Sequence, residues 1–204
     1  MIDLYTWTTP NGRKVSIALE EMGLEYAIHP VNIGADEQFH PDFLKISPNN
    51  KIPAIVDRDT GTSVFESGAI LQYLAEKSGA FLPTSGAERA KVLEWLAWQV
   101  GGFGPMLGQL GHFTRFTDET VPYAIKRFTE ESVRLYGVLD RRLGETEFVG
   151  GDYSIADMAI YPWSAAAYEA LKGIAGLDAP NVERWHATIE ARPAVINGMI
   201  VPEV

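Results

Sequence analysis

Asn49-Asn50-Lys51-Ile52-Pro53-Ala54-Ile55-Val56-Asp57, then Thr62 to Phe65, then Glu66-Ser67-Gly68-Ala69-Ile70-Leu71-Gln72-Tyr73-Leu74, carries the strongest structural signal in the chain. It reads as a polar loop, a strand opened by proline, a short return strand, and a helix that starts with an acid and a hydroxyl. Proline has no amide hydrogen to give a sheet, so Pro53 suits the first position of the Ala54-Ile55-Val56 strand, and a cis Ile52-Pro53 bond there would present the main chain of Ile52 to a ligand. The helix from Ser67 leaves its first amides unpaired, so Ser67 with those amides can hold a carboxylate while Glu66 takes an ammonium. That combination fits the amino and carboxyl groups of an amino acid. The alternative, that Glu66 and Ser67 only cap the helix, is equally open from these residues alone.

Outward from this stretch the chain divides into two blocks. Ile2 to Thr6 reads as a strand, Asn11 to Gly23 as a helix closed by glycine, and Tyr26 to Val31 as a second strand, a βαβ unit with parallel pairing. Residues 33 to 51 are polar and loop-like, with one helical turn at Pro41 to Ile46. The order is therefore βαβ then ββα over residues 1–80, followed by a turn-rich linker at 81–86. Over 87–204 no convincing strand remains, and amphipathic stretches predict an all-α block. Ala87 to about Phe116 reads as a long helix disturbed at Gly101-Gly102-Phe103-Gly104-Pro105. Past that point Met106, Leu107, Gln109, His112 and Phe113 either line a cleft facing the first block or belong to a bent core helix. Pro122 to Leu143 is the next helix. Ser154-Ile155-Ala156-Asp157 has the form of a capping box, with Tyr153 as a staple onto Met158, and is not a catalytic Ser/Asp pair. A last short helix spans Val182 to Ala191, with Trp185 facing inward and Pro193 ending it.

Composition bounds the function classes. The chain has 204 residues, 46% of them hydrophobic and 11% aromatic, enough for one or two adjoining cores without a metal or disulfide staple. A formal net charge of −10 argues against a phosphate-tracking surface and hence against nucleic acid as partner. No apolar run approaches the ~20 residues of a membrane span. Met1-Ile2-Asp3-Leu4 starts a strand without a signal-like segment, so an ordinary soluble protein of the cytoplasm is expected. His29, His40, His112 and His186 lack metal-ligand spacing, and no metal is expected. Cysteine is absent. Should the protein do thiol chemistry, the sulfur must arrive with a ligand.

At Asn50-Lys51-Ile52-Pro53-Ala54, Phe65-Glu66-Ser67-Gly68-Ala69-Ile70 and Tyr73-Leu74 the chain resembles the glutathione transferase family, and the resemblance runs across essentially its whole length. Thr8-Thr9-Pro10-Asn11-Gly12 and Ile46-Ser47-Pro48-Asn49-Asn50-Lys51-Ile52-Pro53 are more specific and resemble the bacterial nu-class branch, similar to yeast Ure2-like proteins. The resemblance implies an α+β/α fold, with a glutathione-binding thioredoxin-like domain followed by an all-helical domain, assembled as a homodimer. It also implies glutathione as co-substrate, one molecule or two, reduced or oxidised, acting on a small disulfide or an electrophile.

Thr9 can offer a hydroxyl and Asn11 an amide to a sulfur at the positive end of the first helix, with Thr8 a close competitor, and the resemblance favours Thr9 and Asn11 as the catalytic pair. Tyr5 alternates with Leu4 on the strand and reads as packing. By resemblance, Gln38 touches the glycyl end of the tripeptide and Lys51 approaches its carboxylate. Ile52, before Pro53, supplies backbone bonds to the cysteinyl part, Glu66 and Ser67 hold the γ-glutamyl end, and Arg127 reaches a second glutathione. Each of these has a plain alternative as a solvated or structural residue. Glutathione-dependent disulfide reduction leads; conjugation of glutathione to electrophilic carbon and a non-catalytic binding module are the alternatives.

Overall fold

A computed structural model describes all residues, 1–204. They form two compact units: Met1–Thr84 together with Glu190–Val204, and Ser85–Ile189.

The first unit is built on strands β1 (Ile2–Thr6), β2 (Tyr26–Pro30), β3 (Ala54–Asp57) and β4 (Thr62–Phe65), in sheet order β2-β1-β3-β4. β1 and β2 pair parallel, Ile2 opposite Tyr26, as the βαβ reading requires, while β3 runs antiparallel to both β1 and β4. Helix α1 (Pro10–Met22) crosses between β1 and β2, and α3 (Ser67–Ser78) follows β4, with the short α2 (Pro41–Ile46) before β3. This is the βαβ–ββα, thioredoxin-like arrangement expected. Ile2 and Leu4 on β1 are buried, as are Val15, Ile17 and Leu19 on α1 and Ile70, Leu71 and Leu74 on α3. The Ile52-Pro53 peptide is cis.

Residues 190–204 pack with this unit although the sequence groups them with the helical block. They form α9 (Pro193–Met199), so Pro193 begins a further helix where the sequence expected only an end. α9 lies against α1 so closely that a Cβ on Gly198 would fall 2.6 Å from the Ile17 backbone nitrogen. Ser16 Oγ donates to the Gly198 carbonyl at 2.6 Å, and Arg192 binds the Glu21 carboxylate through two nitrogens at 2.6 and 2.8 Å.

The second unit is helical throughout: α4 (Gly86–Trp98), α5 (Gly104–Gly111), α6 (Pro122–Glu145), α7 (Ile155–Ala175) and α8 (Pro180–Glu190). The glycine-rich disturbance after α4 is a π-helical turn, Gln99–Phe103, that leads into α5, and a second one, His112–Phe116, follows α5. The expected capping box is present at α7: Ser154 Oγ accepts from Ala156 N, and Asp157 accepts from Ser154 N. Tyr153 sets its ring edge-on to Phe148, 5.3 Å between centroids. Trp185 is fully buried, and its indole N–H donates to Asp157. Asp140 on α6 caps α8 from outside, accepting from the amides of Asn181 and Val182. No helix is long and apolar enough to cross a membrane.

Candidate functional site

In the first unit, the turn before β3 and the start of α3 enclose a cavity of about 210 Å³. Ser47, Asn49, Lys51, Ile52 and Pro53 line it from the turn, Phe65, Glu66 and Ser67 from the α3 side, and Asn11 from the first turn of α1. The stretch with the strongest structural signal therefore also forms most of this wall.

Glu66 is one of four non-glycine residues with positive φ. It sits at φ +70°, ψ +115°, a region that the Cβ of any L-residue disfavours. Its carbonyl accepts the first α3 bond, from Ile70 N at 2.9 Å, but its carboxylate makes no cap bond to the helix. The carboxylate is instead exposed on the cavity, 3.4 Å from Asn49 Nδ2. Ser67 is the first residue of α3 and not its cap, so neither residue is spent on closing the helix end. An acid and a hydroxyl thus meet the cavity beside the free amides of a 12-residue helix, where an amino acid's two charged groups would be matched in sign.

The turn is held from below. Ser47, fully buried, donates its Oγ hydrogen to the Lys51 carbonyl at 2.8 Å, and Asn50 takes a positive φ of 49°. Lys51 itself is exposed at the rim.

The other expected residues are spread differently. Thr9 caps α1, its Oγ1 accepting from Gly12 N at 3.2 Å, which leaves the hydroxyl hydrogen to donate. Gly12 is required there, since a Cβ would run into Thr6 Oγ1 and the Trp7 carbonyl. Asn11 lines the cavity; Thr9 is not among the lining residues. Gln38 lies in a short 3-10 turn, Glu37–Phe39, with its amide nitrogen 3.4 Å from Asp36 Oδ1, and is likewise not part of the wall. Arg127 is exposed on α6 in the second unit. Tyr5 stacks on His29 at 4.7 Å and packs on the cluster around Phe43, and burial raises its pKa, so it is a packing residue as expected.

Lys14 was not singled out by the sequence. It is 2% exposed on α1, and its ammonium donates to Ser67 Oγ at 3.3 Å beneath the cavity wall. Burial pulls its pKa down to about 7, against the opposing field of Glu66. A signal existed: three and four positions on from Lys14 stand Ile17 and Ala18, both core residues, so helical phase already turned the lysine inward.

Residues 1–76 match the family model of the glutathione S-transferase N-terminal domain, and residues 104–193 match that of the C-terminal domain. Over 200 residues the chain is 52% identical to the disulfide-bond oxidoreductase YfcG of Escherichia coli, spanning 95% of this chain and 92% of that protein. Its fold is similar to that of a glutathione transferase from Pseudomonas putida with one glutathione disulfide bound per subunit, with a TM-score of 0.93 at 45% identity over 98% of this chain and 91% of that one. A Pseudomonas fluorescens family member with two glutathione bound is similar to much the same degree, with a TM-score of 0.92 at 45% identity over 98% and 93% of the two chains.

Proposed function

Since the chain belongs to the glutathione S-transferase family, we propose that it is a glutathione-dependent disulfide-bond reductase in which the bound tripeptide's thiolate is the nucleophile. The observation that carries the reading is the uncapped Glu66 beside Ser67 at the start of α3, in a thioredoxin-like unit of a chain without cysteine. Residues 1–80 are the glutathione-binding domain on this reading. Glu66 takes the γ-glutamyl ammonium, and Ser67 with the first α3 amides takes its carboxylate. Ile52, ahead of cis Pro53, offers main-chain bonds to the cysteinyl part, and Lys51 and Gln38 serve the glycyl end.

The sulfur then lies toward the N-terminus of α1, where Thr9 donates its hydroxyl hydrogen and Asn11 its amide. A thiol near the ordinary pKa of ~8.5 is only a few per cent ionised at neutral pH, and lowering it by about 1.5 units makes it roughly half thiolate. The thiolate attacks one sulfur of a small disulfide, forming a mixed disulfide and expelling the other half as thiolate. A second glutathione thiolate, met by Arg127, attacks the mixed disulfide, yielding glutathione disulfide and the second substrate thiolate. On the same reading the enzyme is nu-class, homodimeric and cytoplasmic.

The test is paired kinetics with a small hydroxyalkyl disulfide and an aryl halide, each with glutathione, on wild type, Thr9→Ala and Asn11→Ala. Disulfide turnover well above arylation, cut by either substitution, is the expected result. Arylation above disulfide turnover would make the chain a conjugating transferase instead. Thr9→Ala also removes the α1 cap, at a cost of about 0.5–2 kcal/mol, so its rates are compared below its own melting transition.

A further inference from the structure

We infer that Lys14 is a positioning residue for glutathione: from inside the protein it fixes Ser67 as a hydrogen-bond donor toward the cavity and supplies the positive charge that balances the ligand's α-carboxylate. The inference rests on the reading of Glu66 and Ser67 just given.

Hydroxyl chemistry carries the first half. An ammonium has three donors and no acceptor, so the 3.3 Å contact between Lys14 Nζ and Ser67 Oγ uses the serine oxygen as acceptor. The serine hydrogen must then point elsewhere. Ser67 lines the cavity, and a carboxylate placed there at the start of α3 is the acceptor that hydrogen would meet. Without Lys14 the same hydroxyl is free to turn and offer a lone pair, which repels the ligand.

Charge balance carries the second half. Glu66 is negative, and the γ-glutamyl end brings one ammonium and one carboxylate, so Glu66 and this end of the ligand together hold one uncompensated negative charge. Lys14, one hydrogen bond behind Ser67, cancels it. Its field at the carboxylate is strengthened because the side chain is 2% exposed and little screened by water. A lysine in that position costs the fold stability, since an ammonium is poorly solvated there, which is also why its pKa falls to about 7. An apolar side chain of similar length would fill the space more favourably. Lys14 does not line the cavity, so it acts through Ser67 and not by touching the ligand.

The experiment titrates wild type, Lys14→Met and Lys14→Gln calorimetrically at pH 6.5 with two ligands, glutathione and 4-aminobutanoyl-cysteinyl-glycine, which is glutathione without its α-carboxylate. Melting temperatures are measured alongside. Lys14→Met should bind glutathione about tenfold more weakly, or ~1.4 kcal/mol, yet melt no lower than wild type, and both variants should bind the truncated tripeptide as wild type does. A residue of purely structural importance would show the reverse, a lower melting temperature and equal losses for both ligands. Either undiminished glutathione binding by both variants or equal losses for the two ligands overturns the inference while leaving the functional reading intact. Failure of the wild type to bind glutathione overturns both.

Discussion

Asp157 makes the clearest quantitative test of how the second unit is held together. Its carboxylate is completely buried and accepts four hydrogen bonds: from Val149 N at 3.1 Å and Trp185 Nε1 at 3.0 Å on one oxygen, and from Ser154 N at 3.1 Å and Ser154 Oγ at 3.2 Å on the other. Burial pushes its pKa up to about 6 and the four donors pull against that, so at pH 7 it is ionised. Asp157→Ala strands three N–H donors in the interior, and at ~1–2 kcal/mol for each unsatisfied group the loss is about 3–6 kcal/mol. Asp157→Asn keeps one accepting oxygen. Its NH2 turns toward Ser154, whose hydroxyl can reverse and accept while its amide cannot, so one donor is stranded and the loss is about 1–3 kcal/mol. Ser154→Ala removes one cap bond and costs ~1 kcal/mol. Urea titrations at pH 7 followed by circular dichroism should rank the substitutions, from the most to the least damaging, as Asp157→Ala, Asp157→Asn and Ser154→Ala. For a chain of this size each kcal/mol lowers the melting temperature by roughly 2–4 °C. An Asp157→Asn protein as stable as wild type would refute the assignment of this carboxylate as a four-way acceptor.

Three further outcomes follow from the first unit. Gly198→Ala places a methyl within 2.6 Å of the Ile17 backbone, so α9 must back away from α1, lowering stability by about 1–3 kcal/mol in the same urea assay. The Arg58 guanidinium, against the opposing effect of burial and helped by His29, holds the Asp3 carboxyl at about pKa 2. An acid depressed in the folded state contributes stability above its unfolded pKa of ~3.9 and loses it as pH falls, so between about pH 4 and 2 the wild-type melting temperature should drop more steeply than that of Asp3→Asn. Glu66→Gln and Ser67→Ala should each weaken glutathione binding by about tenfold in calorimetry, the scale of one charge-assisted hydrogen bond; Glu66→Gln should leave the melting temperature nearly unchanged because its side chain does not cap α3, whereas Ser67→Ala should lower it by taking an acceptor from the buried Lys14 ammonium.

Much of this was legible in the chain because the signals are local. The Pro53 strand opening, the acid and hydroxyl at the start of α3, the glycine closing α1 and the Ser154–Asp157 box depend on neighbours within a few positions, where backbone geometry and side-chain chemistry speak directly. The cavity wall is legible for the same reason: eight of its nine lining residues fall between Ser47 and Ser67. In the sequence the π-helical turns show only as a disturbance, since glycine and proline signal departure from an α-helix without saying how the ladder is re-formed.

By itself, then, the sequence determined the βαβ–ββα order, the helical block after it, the absence of any cysteine and hence the need for a borrowed thiol, because each of these follows from residue type and short-range periodicity. Tertiary structure alone decided that residues 190–204 return to the first unit, that Asp140 caps a helix 41 residues away, and that Lys14 stands under Ser67. Those contacts join positions 41, 53 and 182 residues apart in the chain, and no local propensity encodes a meeting that exists only once two packed surfaces have come together.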